Sequence, residues 1–188
     1  MKKLLMIVAS LLLTNLVFAD TTLNLDKSKS KLMWLGKKVT GKHNGDIKFK
    51  SGSITLSKEG ILKDANFTVD MTTINTTDLS GEWKDKLDGH LKNEDFFNVS
   101  KHPTSTLKFK KVNSKAGKVY NVTADLTIKE KTKPVTFDVK LDGKKATGSF
   151  TFDRTVYDIK YGSGKFFEGL GDKMINDEVK VDFDIALK

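Results

Sequence analysis

The chain has 188 residues, 30% of them charged, a formal net charge of +9 and no cysteine. Without cysteine there is no disulfide framework and no anchor acylated at an N-terminal cysteine, so packing alone must hold the fold. The positive excess does not argue for nucleic acid, because it is lysine scattered singly along alternating segments, and Arg154 is the only arginine among 33 basic residues, whereas base and phosphate clamps favour arginine forks.

Met1-Lys2-Lys3, the apolar run from Leu4 to Phe18 and the small residue Ala19 have the three parts of a secretory leader. Cleavage after Ala19 would leave an exported chain of 169 residues with a net charge of +7, long enough for one domain with a sizeable core. The apolar run is shorter than the ~18 residues of a membrane-spanning helix.

Beyond the leader, Thr22 to Asp26 predicts a short strand, and Ser30 to Lys38 predicts a second in which Leu32 and Trp34 share a face. His43-Asn44-Gly45 reads as a hairpin turn, followed by strict alternation from Asp46 to Lys50. The apolar parity then flips, from Ile47 and Phe49 to Ile54 and Leu56, which predicts a one-residue bulge at Gly52. After a turn at Glu59-Gly60, the residues Ala65, Phe67 and Val69 form an inner face, and Thr72 to Asp78 reads as a polar lead.

One segment departs from this alternation. Trp83, Leu87 and Leu91 recur at helical spacing, so one short helix is predicted near residues 79–93 with these three on its apolar face and Asp88 among the residues on its wet side. Phe96 and Phe97 follow it. A helix and an aromatic pair inserted once among strands suit a lid over a barrel mouth, or a plain closure of one end of the core.

Past Pro103, alternation resumes at Leu107 and Phe109, then at Val122, Ala124, Leu126 and Ile128. Lys131 to Pro134 reads as a turn into Val135, Phe137, Val139 and Leu141, and Asp142-Gly143 as a hairpin. Gly148, Phe150 and Phe152 share the next inner face, Tyr157 to Gly171 forms a loop, and Glu178 to Ile185 is the closing strand. About eight antiparallel strands in one domain result. Opposite the apolar face stand Lys48, Lys50, Lys108, Lys110, Lys180, Asp182 and Asp184, charges that cannot face lipid. The expected fold is therefore all-β, a soluble eight-stranded barrel with an apolar interior.

Several segments together resemble the YceI-like family: Trp34-Leu35-Gly36-Lys37-Lys38, Gly41 to Gly45, His90 to Phe97 with His102-Pro103, Ala124 to Lys129, Phe152-Asp153-Arg154 and Ile175 to Val179. The resemblance spans nearly the whole chain after the leader. It implies a lipocalin-like barrel over residues 20–188, exported to the periplasm, that holds a long isoprenoid or other amphiphilic lipid in its lumen. Many members carry glycine where Ala124 and Glu130 stand here.

The candidate ligand-binding wall comprises Leu32, Trp34, Ile47, Phe49, Phe67, Val69, Leu107, Phe109, Phe137, Phe150, Phe152 and Phe183, with Trp83, Leu87, Phe96 and Phe97 as the candidate lid. Each wall residue could equally pack as plain core. Arg154 is a candidate head-group contact, or a structural fork on a carboxylate such as Asp153, Asp158 or one from a neighbouring strand. His43, His90 and His102 lack metal-ligand spacing, and His43 and His90 are expected to make hydrogen bonds that pin the turn and the helix end. No catalytic residue, metal or cofactor is expected, since no serine elbow, cysteine nucleophile or phosphate loop is present. The partner expected is an amphiphilic lipid, without nucleic acid or stable membrane insertion; pairing of edge strands into a homodimer is left open. A lumen-based enzyme using His90 or Asp95 and a closed structural barrel are the competing readings.

Overall fold

The computed structural model describes residues 19–188. The leader expected over residues 1–19 falls, apart from Ala19, outside the described residues. The strands are β1 (Thr21–Asn24), β2 (Lys31–Lys38), β3 (Gly41–Leu56), β4 (Leu62–Thr76), β5 (Thr104–Ala116), β6 (Val119–Ile128), β7 (Lys131–Asp142), β8 (Lys145–Asp153) and β9 (Ile175–Ala186), with one α-helix, α1 (Gly81–Lys92), between β4 and β5.

All neighbours pair antiparallel, and the β3–β4 pairing closes the sheet on itself. Nine strands fill eight positions. β2 pairs with the first half of β3, β1 pairs with its second half, and Leu25 bridges to Leu187 beyond the end of β9, so β1 and β2 are two halves of one interrupted stave. The interruption is a polar turn in which the Asp26 carboxylate accepts from the backbone N–H and hydroxyl of Ser28. β7 and β8 pair only over Val139–Asp142 and Lys145–Gly148, so this seam is laddered along part of its length. Lys48, Lys50, Lys108, Lys110 and Lys180 stand exposed on the outer face, which no bilayer-spanning barrel could present to lipid.

The parity flip in β3 has the expected cause two residues earlier than Gly52. Phe49 pairs with Val69 but Ser51 with Thr68, so Lys50 is the extra residue. Gly52 follows the bulge for a packing reason, since a Cβ there would lie 2.3 Å from the Phe67 ring.

Two turns and the polar lead shift. His43-Asn44-Gly45 lies inside β3 and the turn falls at Val39-Thr40, because Lys38 pairs with Gly41. Gly45 is needed because a Cβ there would meet the Asn75 carbonyl at 1.9 Å and the Trp34 ring at 2.7 Å. Lys131 to Pro134 belongs to β7, and Lys129 and Glu130 make the turn at φ of 48° and 61°, the left-handed conformation that favours glycine. Thr72 to Thr76 is part of β4, where a register irregularity opposite Asp46 to Lys48 turns Met71 and Ile74 into the core.

The helix forms where its period predicts, but only its C-terminal end docks. Leu91 is buried, Leu87 partly buried and Trp83 71% exposed. At 3.6 residues per turn, Trp83 lies roughly 80° around the axis from Leu91, and the first turn projects past the core. Asp88, expected on the wet side, instead accepts the Thr76 N–H at 2.8 Å and pairs with Lys84, tying the helix to β4.

Two apolar clusters stack along the barrel axis. One, around Tyr120, Leu141, Ile185 and Leu187, closes the end that carries the β5–β6 and β7–β8 hairpins. The other, around Met71, Leu91, Phe96, Phe152, Tyr157 and Ile159, lies beneath α1.

Candidate functional site

Between these clusters the barrel is hollow. The cavity holds about 1480 Å³ of non-atom space, counting its solvent-open mouth, and runs from Leu62 and Ile185 at the hairpin end to Phe96, Ile175 and the exposed Asn176 at the helix end. Every strand from β2 to β9 contributes inward side chains at period two, so the sequence alternation becomes a continuous apolar wall. Apart from glycine, its residues with polar side chains are Trp34, Ser105, Thr106, Arg154 and Asn176.

All twelve expected wall residues line the cavity, as do Phe96 and Phe97. Trp83 and Leu87 do not. Leu87 packs against the helix-end cluster, and the Trp83 ring sits in solvent with the Lys86 ammonium 5.1 Å from its centroid. The wall also includes Met71, Ile74, Leu91, Val122, Ala124, Leu126, Val139, Val179 and Val181. Those on β6, β7 and β9 share the inner face already legible from alternation. Met71 and Ile74 had no legible signal, since the irregularity in β4 breaks their period.

Arg154 is fully buried. β8 ends at Asp153, whose carboxylate accepts from the Thr155 N–H at 2.8 Å and opens a 3-10 turn over Arg154–Tyr157 that carries the arginine inward. Its Nε donates to the Asn176 carbonyl at 3.1 Å, Nη1 to Ile159 at 2.7 Å and Nη2 to Ile175 at 3.1 Å. The fork thus joins the end of β8, the loop after it and the start of β9. Its nearest carboxylate is Asp177 on β9, at 3.6 Å, rather than Asp153 or Asp158. Lys165 bridges Asp177 and Asp153 from outside, at 3.2 and 2.7 Å. Burial pulls the guanidinium below its usual pKa, opposed by Asp177 and Asp153. With three backbone carbonyls bound, Arg154 is placed as a structural tie. The guanidinium carbon also lies 5.6 Å from the centroid of the Phe96 ring on the cavity wall.

The histidines are separate. His43 Nδ1 lies 3.0 Å from Asp78, which also accepts the Asn44 N–H, so this histidine ties β3 to the segment before the helix. His90 was expected to hydrogen-bond the helix end. Among the described residues its Nε2 has no partner, and its ring is held edge-on by Phe96 and Tyr161, at 5.5 and 4.5 Å. His102 stands 3.6 Å from Glu130. Tyr157, buried against Phe152, has its hydroxyl pushed up to about 12 by burial. Of the groups that line the cavity, Arg154 alone is titratable.

A closed eight-stranded antiparallel barrel around one long apolar cavity, with a helix at one end, defines a lipocalin-like barrel protein. The chain belongs to the YceI-like family: that family's domain model matches residues 23–187. A curated relative, UPF0312 protein ECA1782 of Pectobacterium atrosepticum, is 42% identical over 72 residues, 38% of this chain; the match spans 36% of that relative's length. Among solved structures, BcnA of Burkholderia cenocepacia superposes with a TM-score of 0.68 at 22% identity, over 86% of this chain and 98% of that one. A polyisoprenoid binding domain from Saccharophagus degradans, implicated in plant cell wall breakdown, gives 0.60 at 17% identity, over 88% and 97%.

Proposed function

We propose that this chain is an exported periplasmic protein that holds a long isoprenoid or similarly amphiphilic lipid in its barrel, as a carrier, store or sensor and not as an enzyme. The observation that carries the reading is the cavity itself, hollow along the barrel with walls almost wholly apolar. A fully packed structural barrel would have filled this space. Burying a methylene is worth roughly 0.8 kcal/mol, so ten of them contribute on the order of 8 kcal/mol before the costs of association. Micromolar or tighter binding then needs no hydrogen bond.

Membership of the family and the polyisoprenoid-binding title of one structural neighbour support the same class of ligand. The leader read from residues 1–19 supports export. A wall with no carboxylate, histidine or lysine to activate the Ser105 or Thr106 hydroxyl favours holding a ligand over transforming one, since acid–base catalysis needs a titratable group within reach of the substrate. Arg154, occupied by backbone carbonyls, acts in this reading by shaping the helix end of the cavity.

The test is native mass spectrometry of protein purified gently from its host, followed by extraction of what denaturation releases. A stoichiometric long-chain lipid is expected. Protein that emerges empty and refuses isoprenoid and fatty chains in reconstitution would refute the proposal.

A further inference from the structure

Most phenylalanines of the described chain are buried or half-buried; only Phe166 and Phe167 are exposed, at 48% and 49%. They do not hang on a loose loop. Both of their backbone N–H groups donate to the carbonyl of the fully buried Ser163, at 3.1 and 3.0 Å, and Ser163 Oγ accepts the Lys165 N–H. A built turn therefore holds two rings outward that the chain elsewhere keeps inside.

The surroundings extend the patch. Gly164 packs under the exposed Met174, where a Cβ would lie 2.7 Å from Sδ, and the Met174 carbonyl accepts the N–H of the exposed Val39 at 3.1 Å. Contiguous exposed apolar groups of this kind mark interaction sites. The same surface carries Lys37, Lys38, Lys42 and Lys173, none in an ion pair among the described residues, against Glu168 and Asp172. Lys160 rests its ammonium 5.2 Å from the Phe166 ring, and its other contact is Asp158. The patch overlies the helix end of the cavity, because Ile175 and Asn176 line the cavity while the Ile175 N–H donates to Gly162 in the same loop.

We propose that the Phe166–Phe167 tip is a docking surface for an anionic phospholipid membrane, with the two rings entering the interface and the flanking lysines meeting lipid phosphates. Aromatic rings at headgroup level beside unpaired lysines are the chemistry that binds such interfaces, through apolar burial and attraction to anionic lipid together. Docking is peripheral, since only a loop tip enters. It goes beyond the cargo assignment and does not require the cavity to be filled, but it places the helix end of the cavity against a bilayer.

The experiment is flotation of the host-purified protein with vesicles of phosphatidylglycerol and phosphatidylethanolamine, or of phosphatidylcholine alone. The expected result is binding to the anionic vesicles only, weakened by salt. Partitioning should fall at least about tenfold in F166S/F167S, and the preference for anionic lipid should be lost in K37E/K38E. Retained cargo and an unchanged melting temperature in F166S/F167S show that the barrel is intact, since neither ring lines the cavity. Wild-type protein that ignores both vesicles overturns the proposal, as does binding that survives F166S/F167S. So does a concentration-dependent dimer abolished by F166S/F167S without vesicle binding, which makes the tip an interface between copies. Vesicle binding by protein that emerges empty and refuses isoprenoid and fatty chains in reconstitution would refute the carrier reading and leave the docking surface standing.

Discussion

Replacing Ala124 with phenylalanine narrows the cavity without disturbing the surface. Ala124 sits on β6, is 1% exposed and lines the cavity, paired across the sheet with Phe109 and Val135. A phenyl ring at this point takes the room of roughly four methylenes, and at ~0.8 kcal/mol each the ligand loses about 3 kcal/mol, near two-hundredfold in Kd. Ala124 is packed within the core cluster as well as facing the lumen, so the added ring should bring overpacking strain in the usual range of about 1–3 kcal/mol, which thermal unfolding reads separately from binding. The assay is titration with a fluorescent long-chain probe, paired with thermal unfolding. A probe affinity unchanged within threefold in a normally folded A124F protein would show that the chain does not occupy this part of the lumen.

Arg154→Lys should destabilise the protein by about 3 kcal/mol, because one ammonium cannot serve the three separated carbonyls of Ile159, Ile175 and Asn176; urea unfolding measures it, and a neutral result would remove the structural role. Gly45→Ala should cost about 1–3 kcal/mol, since its Cβ meets the Asn75 carbonyl, a backbone atom that cannot swing away. Gly41→Ala, with nothing within 4 Å, should stay within about 0.5 kcal/mol in the same melts. Asp78, Asp88 and Asp153 are all held below the usual carboxylate value of 3.8: partial burial raises each, and hydrogen bonds from Asn44 and His43, from Lys84 and Thr76, and from Lys165 and Thr155 respectively outweigh it. Their depressed folded values mean that their stabilisation is fully present above pH 3.8 and is lost as pH falls through the folded values below it. Melting temperatures should therefore drop on acidification below that point, and less steeply in D88N; a D88N profile parallel to wild type would exclude the Asp88 tie between helix and β4.

The sequence by itself determined the barrel and the side of each strand that faces the lumen. A period of two leaves no freedom about which residues share a face, and Lys48, Lys50, Lys108 and Lys110 opposite Ile47, Phe49, Leu107 and Phe109 decide which face is wet. It also marked Arg154 as unusual, because one guanidinium among lysines implies a geometry that an ammonium cannot serve. Only the tertiary structure decided what Arg154 holds, since its three carbonyls come from residues up to 22 positions away. Turn positions escaped for a related reason: Asn44-Gly45 has turn chemistry, yet the clash of any Cβ with Asn75 and Trp34 is what requires the glycine, and that contact exists only once β3 lies between β2 and β4. Helical spacing put Trp83 and Leu91 on one stripe, but whether a stripe is buried along its length depends on how far the partner surface extends. Here the helix meets the barrel from Leu87 to Leu91, and Trp83, one turn earlier, is left in water.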